Sequence, residues 1–198
     1  MKYGSTGFPT PSSASDAELR TYDTDGQMTV SLAPGGTAGT GVTATDYSAD
    51  GKHFATKLVL SGVAATIGDN AALAGGALIY TFPAGAIAVH SSTINAGLTL
   101  TTGTPTTDTP ELGLGTTQGS GANATLGAVA ATAEDIGGPV VAGDIAGTAA
   151  VNTKVASLAV EAAGAHTVYF NYADTWADVD DTAATIDGTV WIEWTKLG

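Results

Sequence analysis

The residues of this chain able to do chemistry are few and far apart. Histidine occurs three times, at His53, His90 and His166, with separations of 37 and 76 residues. Metal-binding helices and loops place histidines three to five residues apart, so each of these three is expected to be structural or solvated. Ser120 sits in Gly119-Ser120-Gly121, but a nucleophile elbow needs Gly-x-Ser-x-Gly between a strand and a helix. Its flanks are Thr116-Thr117-Gln118 and Ala122-Asn123-Ala124, a loop running towards a helix. Arg20 is the single arginine, which leaves no guanidinium fork for phosphate or carboxylate in the body of the chain. Cysteine is absent, so there is no thiolate nucleophile, no disulfide and no sulfur-ligated zinc.

Two acidic clusters remain. Asp23-Thr24-Asp25-Gly26 opens like a calcium loop but lacks the EF-hand spacing and its closing Glu. Asp174, Asp178, Asp180, Asp181 and Asp187 gather five carboxylates within fourteen residues. Unpaired carboxylates repel one another, and a bridging Ca2+ would relieve that; Asp174, Asp178, Asp180 and Asp181 are then the ligands. The simpler expectation is a solvated acidic loop and no cofactor. Asn123-Ala124-Thr125 fits the glycosylation sequon, which matters only on a eukaryotic secretory route. No catalytic residue is assigned, and the chain is not expected to be an enzyme.

Small side chains dominate the elements that would have to position any site. Ala (36), Thr (32) and Gly (27) fill 95 of 198 positions, so the 43% hydrophobic content overstates the core-forming residues. What remains suffices for one modest core in one domain, or two small ones. Six basic against nineteen acidic residues give a net charge of −13. Such a surface repels phosphate, which excludes nucleic acid bound by counterion release and disfavours an anionic membrane. No run of about 20 apolar residues is present, and no apolar stretch follows Lys2, so neither a spanning helix nor a secretory signal is expected.

Residues 1–50 are rich in Gly, Ser, Thr, Pro and Asp and read as an extended N-terminal arm that orders on docking, with residues 51–198 as a β-sandwich domain. Phe8, Tyr22, Val30 and Leu32 are the arm's candidate contacts. Strand alternation follows in His53–Leu60, Gly76–Phe82 (stopped by Pro83-Ala84-Gly85), Ala86–His90, Thr93–Thr101 with a bulge at Gly97, Glu111–Thr117, Thr167–Ala173 and Gly188–Lys196. In the last, Val190, Ile192 and Trp194 share one face and Trp191, Glu193 and Thr195 the other. Leu126, Val129, Ala130 and Ala133 have helical spacing, predicting one helix within Ala122–Ile136, stopped by Gly137-Gly138-Pro139. The fold class is mainly β: an antiparallel β-sandwich of jelly-roll kind with one short helix.

Leu112-Gly113-Leu114-Gly115-Thr116-Thr117-Gln118-Gly119-Ser120-Gly121-Ala122, the run Ala133-Glu134-Asp135-Ile136, Thr56-Lys57-Leu58-Val59-Leu60 and the closing Gly188-Thr189-Val190-Trp191-Ile192-Glu193-Trp194 together resemble virion structural proteins of tailed phages. The capsid decoration, or cement, proteins of phages of marine bacteria are the nearest in texture. The likeness covers roughly residues 53–198 and carries no catalytic residues. It implies a β-rich body made in the bacterial host cytoplasm and assembled as homotrimers on the outer capsid surface. There it would bridge subunits of the major capsid protein, with the arm reaching over neighbours. Trp176 and Trp191 are candidates for the faces meeting another subunit or the shell. Two alternatives stand beside it. One is a tail, head-fibre or receptor-binding component, for which Trp176 with Tyr172 nearby would make a glycan groove. The other is a bacterial surface adhesive β module.

Overall fold

In the computed structural model, residues 19–22, 28–32, 35–48, 50–68, 72–100, 109–141, 150–160, 166–176 and 182–197 are described. Twelve strands are formed by these residues: β1 (Leu19–Tyr22), β2 (Met28–Leu32), β3 (Thr37–Ala38), β4 (Val42–Tyr47), β5 (His53–Ile67), β6 (Ala74–Thr81), β7 (Ile87–Leu100), β8 (Glu111–Gly115), β9 (Gly137–Val141), β10 (Ala150–Val160), β11 (Thr167–Ala173) and β12 (Thr182–Lys196). They make two antiparallel sheets, ordered β1-β2-β4-β5-β12-β7-β10 and β3-β6-β11-β8-β9. The core lies between them.

From β5 onward the pairing is nested: β5 with β12, β6 with β11, β7 with β10, and β8 with β9. That is one long hairpin of four strand pairs, rolled so that β12 also meets β7 and β11 also meets β8. Rolling splits alternate pairs between the two facing sheets of a β-sandwich. Each chain reversal between β5 and β8 therefore crosses from one sheet to the other. The Pro83–Gly85 turn does this between β6 and β7, with Gly85 at φ +118.

Period-two alternation supplies the core. Thr56, Leu58 and Leu60 of β5 are buried, and Phe54 is half-buried against them. At Ser61 and Gly62 two residues oppose Asp187 alone, a bulge that shifts the inward phase to Val63, Ala65 and Ile67. Gly62, at φ +62, is the residue that can take this turn without strain. On β12, Ala184, Ile186, Val190, Ile192 and Trp194 point inward. Trp194 stacks on Phe54 at 4.3 Å and meets Phe82 edge-on at 5.3 Å. These rings fill one end of the sandwich.

Several expectations change. The helix contracts to α1 (Leu126–Val129), followed by a single 3₁₀ turn at Ala131–Ala133. Thr125 makes no cap bond of its own, no acidic residue sits in the first turn, and Ala130 is extended. The Leu126 N–H is met instead from β8, by the Glu111 carboxylate at 2.8 Å, so a longer helix has little local sequence to nucleate it. Its apolar spacing still packs, since Leu126 and Ala133 are fully buried. The bulge expected at Gly97 lies instead at His90, where Glu193 pairs with Ser91 and Trp194 with Val89. Residues 35–48, read as arm, run through both sheets: β3 pairs with β6, and β4 pairs with β5 from Val42 to Tyr47. β1 and β2 continue the same sheet outward as a hairpin.

Both glycines of β8, Gly113 and Gly115, are required by close approach. A Cβ on Gly115 would lie 2.3 Å from the Thr132 carbonyl oxygen, and one on Gly113 would lie 2.8 Å from Leu126. The bare glycine face of β8 is what lets α1 and the 3₁₀ turn settle onto the sheet.

Candidate interaction face

The side chains singled out for chemistry are absorbed by local structure. His53 and Asp50 pair at 2.5 Å in the β4–β5 turn, where Asp50 also accepts the backbone N–H groups of His53 and Lys52 at 2.8 Å. The backbone bond from His53, then its ring, hold the Asp50 carboxyl well below the usual carboxylate range. His90 meets the Thr195 hydroxyl at 2.7 Å on the outer surface. His166 immediately precedes β11, with its Nε2 buried and unpartnered. Ser120 is exposed in its loop.

Asp174 accepts from the Thr175 N–H at 2.6 Å, and Asp187 accepts from the Gly62 N–H at 2.7 Å. Asp178, Asp180 and Asp181 lie outside the described residues. Among the described residues, no group of three or more His, Asp or Glu side chains gathers where an ion could be held. No helix among them is long and apolar enough to cross a membrane.

Two polar hubs were not legible in the sequence. Asp46 is fully buried and joins both sheets. It accepts from Gly35 N at 2.6 Å, Thr56 Oγ1 at 2.5 Å and Tyr80 Oη at 3.5 Å, while Trp194 Nε1 donates to Thr56 Oγ1 at 2.8 Å. Burial first, and then the charge of Asp46, push the Tyr80 hydroxyl far above its ordinary range. Asn171 is the second hub. Its amide accepts from Gly119 N at 2.8 Å and donates to the carbonyls of Thr117 at 2.9 Å and Ala133 at 2.7 Å. It thereby fastens the loop after β8 and the 3₁₀ turn to β11. An Asp among Thr residues and an Asn between aromatics gave no pattern that marks a buried hub.

Trp176 corrects its expectation. Its ring is 5% exposed, meets Tyr172 edge-on at 6.5 Å and donates Nε1–H to the Leu73 carbonyl at 2.7 Å. A φ of +28 turns it inward. It packs in the core and presents no face to a partner. Tyr172 is likewise internal, its hydroxyl donating to Thr66 O at 2.9 Å and accepting from Thr66 N at 3.0 Å.

Trp191 is different. It is 37% exposed on the outer face of the larger sheet, in the middle of three rows that cross β4, β5, β12 and β7. The rows run Tyr47–Ala55–Glu193–Ser91, Thr45–Lys57–Trp191–Thr93 and Thr43–Val59–Thr189–Asn95. The Trp191 ring stacks on Tyr47 at 5.7 Å and 29°, and Lys57 Nζ lies 5.6 Å over it. Glu193 accepts from Ser91 Oγ at 2.6 Å. No family model, curated protein or solved structure matches the chain. Its function is therefore argued from this geometry. Phe8 lies outside the described residues. Tyr22, Val30 and Leu32 stand on β1 and β2, and only their backbone is described: Tyr22 opposite Met28, Val30 opposite Arg20, Leu32 opposite Asp46.

Proposed function

We propose that this chain is a virion structural protein that decorates the outside of a tailed-phage capsid and stabilises it by bridging shell subunits. The observation that carries the reading is the rolled-hairpin strand order, an architecture that serves viral capsid and lectin domains; this support is analogy at the level of fold. The chemistry is compatible with it. A net charge of −13 keeps the chain off packaged DNA and keeps a particle bearing many copies dispersed. The two polar hubs tie sheets, loops and turn into one stiff unit, as a mechanical role requires.

The mechanism is adhesion. A protein seated across the joint between shell subunits must be released or torn before the joint opens. A standard interface of about 1,600 Å², a little over half apolar, carries a gross burial term of order 20 kcal/mol, most of it offset by lost freedom of motion. The surplus is small per copy and large over a lattice. Association as homotrimers, with the first residues contacting neighbouring subunits, belongs to the same proposal.

The test is to add the purified chain to expanded phage heads that lack their decoration protein and to follow head rupture on heating. Binding with a raised rupture temperature supports the reading. Heads that neither bind the chain nor gain heat resistance overturn it.

A further inference from the structure

We propose that the rows around Trp191 are a binding platform for an uncharged glycan, a role independent of where the chain is displayed. Both ring partners of Trp191 come from one side, Lys57 on β5 and Tyr47 on β4. On the other side β7 places Ser91, Thr93 and Asn95, all shorter than the indole. The tryptophan is thus braced from the β4–β5 flank and bordered on the β7 flank by short polar side chains. A sugar ring needs that arrangement: a flat aromatic surface for its C–H face, with hydrogen-bonding groups around the edge.

The spacing fits one ring. Neighbours on the same face lie about 6.8 Å away along a strand and about 4.8 Å away across strands. A pyranose lying against Trp191 would therefore bring its hydroxyls within a hydrogen bond of about 2.8 Å from Glu193, Thr189 and the β7 side chains. Glu193 is already oriented by Ser91 through one carboxylate oxygen, leaving the other oxygen to accept from a sugar hydroxyl. Little ordering is left to complete on binding, because stacking and the cation–π contact already hold the ring.

Charge and composition select the ligand class. Across the twelve positions of the three rows Lys57 and Glu193 are the charged pair, so the face is locally neutral on a chain of −13. An anionic polysaccharide would meet the repulsion of the whole molecule. A protein partner would want a cluster of large apolar anchors, whereas the exposed large apolar side chains of these rows are Trp191 and Val59, with Tyr47 half-buried behind the indole and Thr, Ser and Asn around them.

The experiment uses the tryptophan itself. Trp176 and Trp194 are buried, at 5% and 1% exposure, so Trp191 is the ring whose fluorescence a surface ligand changes. The full chain is titrated with cellohexaose, maltohexaose and chitohexaose, with heparin as the anionic comparison. A saturable spectral change with at least one neutral hexasaccharide is expected, weakened about tenfold or more in Trp191→Ala and about threefold in Glu193→Gln. Trp191→Phe retains part of the affinity, which separates loss of the plate from loss of fold. Silence with all three neutral oligosaccharides, affinity unchanged in Trp191→Ala, or heparin binding as well as the neutral ligands overturns the proposal.

Discussion

Replacing Asp46 by Ala should remove the pin that joins the two sheets. The side chain is fully buried and takes donors from Gly35 N and Thr56 Oγ1 at short range, with Tyr80 Oη at 3.5 Å. Each hydrogen bond to such a group contributes about 1.5–3 kcal/mol, and a buried donor left without a partner costs about as much as the bond was worth. Two strong bonds and one weak one give about 4 kcal/mol, less whatever the desolvation of the carboxyl itself had cost. At about 2–4 °C per kcal/mol for a domain of this size, the melting temperature falls by roughly 8–16 °C. Urea unfolding should show the same loss with an unchanged m value, since the exposed area is set by the fold. Asp46→Asn keeps one acceptor and should lose less. A loss below about 1 kcal/mol in Asp46→Ala would refute the claim that this carboxyl organises the core.

Other outcomes follow from the same geometry. Trp176→Ala should cost about 3–5 kcal/mol by leaving a cavity, whereas Trp191→Ala should cost about 1 kcal/mol, read from paired thermal melts. Equal losses would reverse the assignment of core and surface. Tyr172→Phe should cost about 1–2 kcal/mol by stranding the Thr66 N–H and carbonyl on the edge of β5, which the hydroxyl otherwise covers. Alkaline pH should destabilise the fold. Burial raises both Tyr80 and Tyr172, so the unfolded chain ionises first and stability falls as pH rises past about 10, where a free tyrosine titrates. Chemical denaturation between pH 8 and 11 should show a shallower decline in Tyr80→Phe than in the parent chain.

How much of this was legible depended on contrast between side chains. β11 and the second half of β12 were plain because Val, Tyr, Phe, Ile and Trp alternate there with polar residues. The first half of β12 reads Thr182-Ala183-Ala184-Thr185-Ile186, and Ala against Thr gives too little hydrophobic contrast to announce a strand. β9 was hidden because Gly137-Gly138-Pro139 marks the end of a helix as readily as the start of an edge strand. The bulge in β5 left a trace: the apolar series Leu58, Leu60 resumes at Val63 rather than at Gly62. Trp176 was misjudged because an aromatic beside an Asp-rich loop looks exposed, and its inward turn depends on a positive φ that composition does not encode. Parity put Trp191 on one face with Glu193 and Thr195, opposite Val190, Ile192 and Trp194; that this face is the outer one, and that Tyr47 and Lys57 brace the ring, needed the pairing of three strands.

The central claim is that the chain works by adhering to a regular shell. It is tested most directly by titrating it into undecorated phage heads and measuring bound copies per head after sedimentation. The account predicts a plateau at a fixed copy number that does not rise with further protein. No pelleting with heads, or uptake that climbs without saturating, would contradict it.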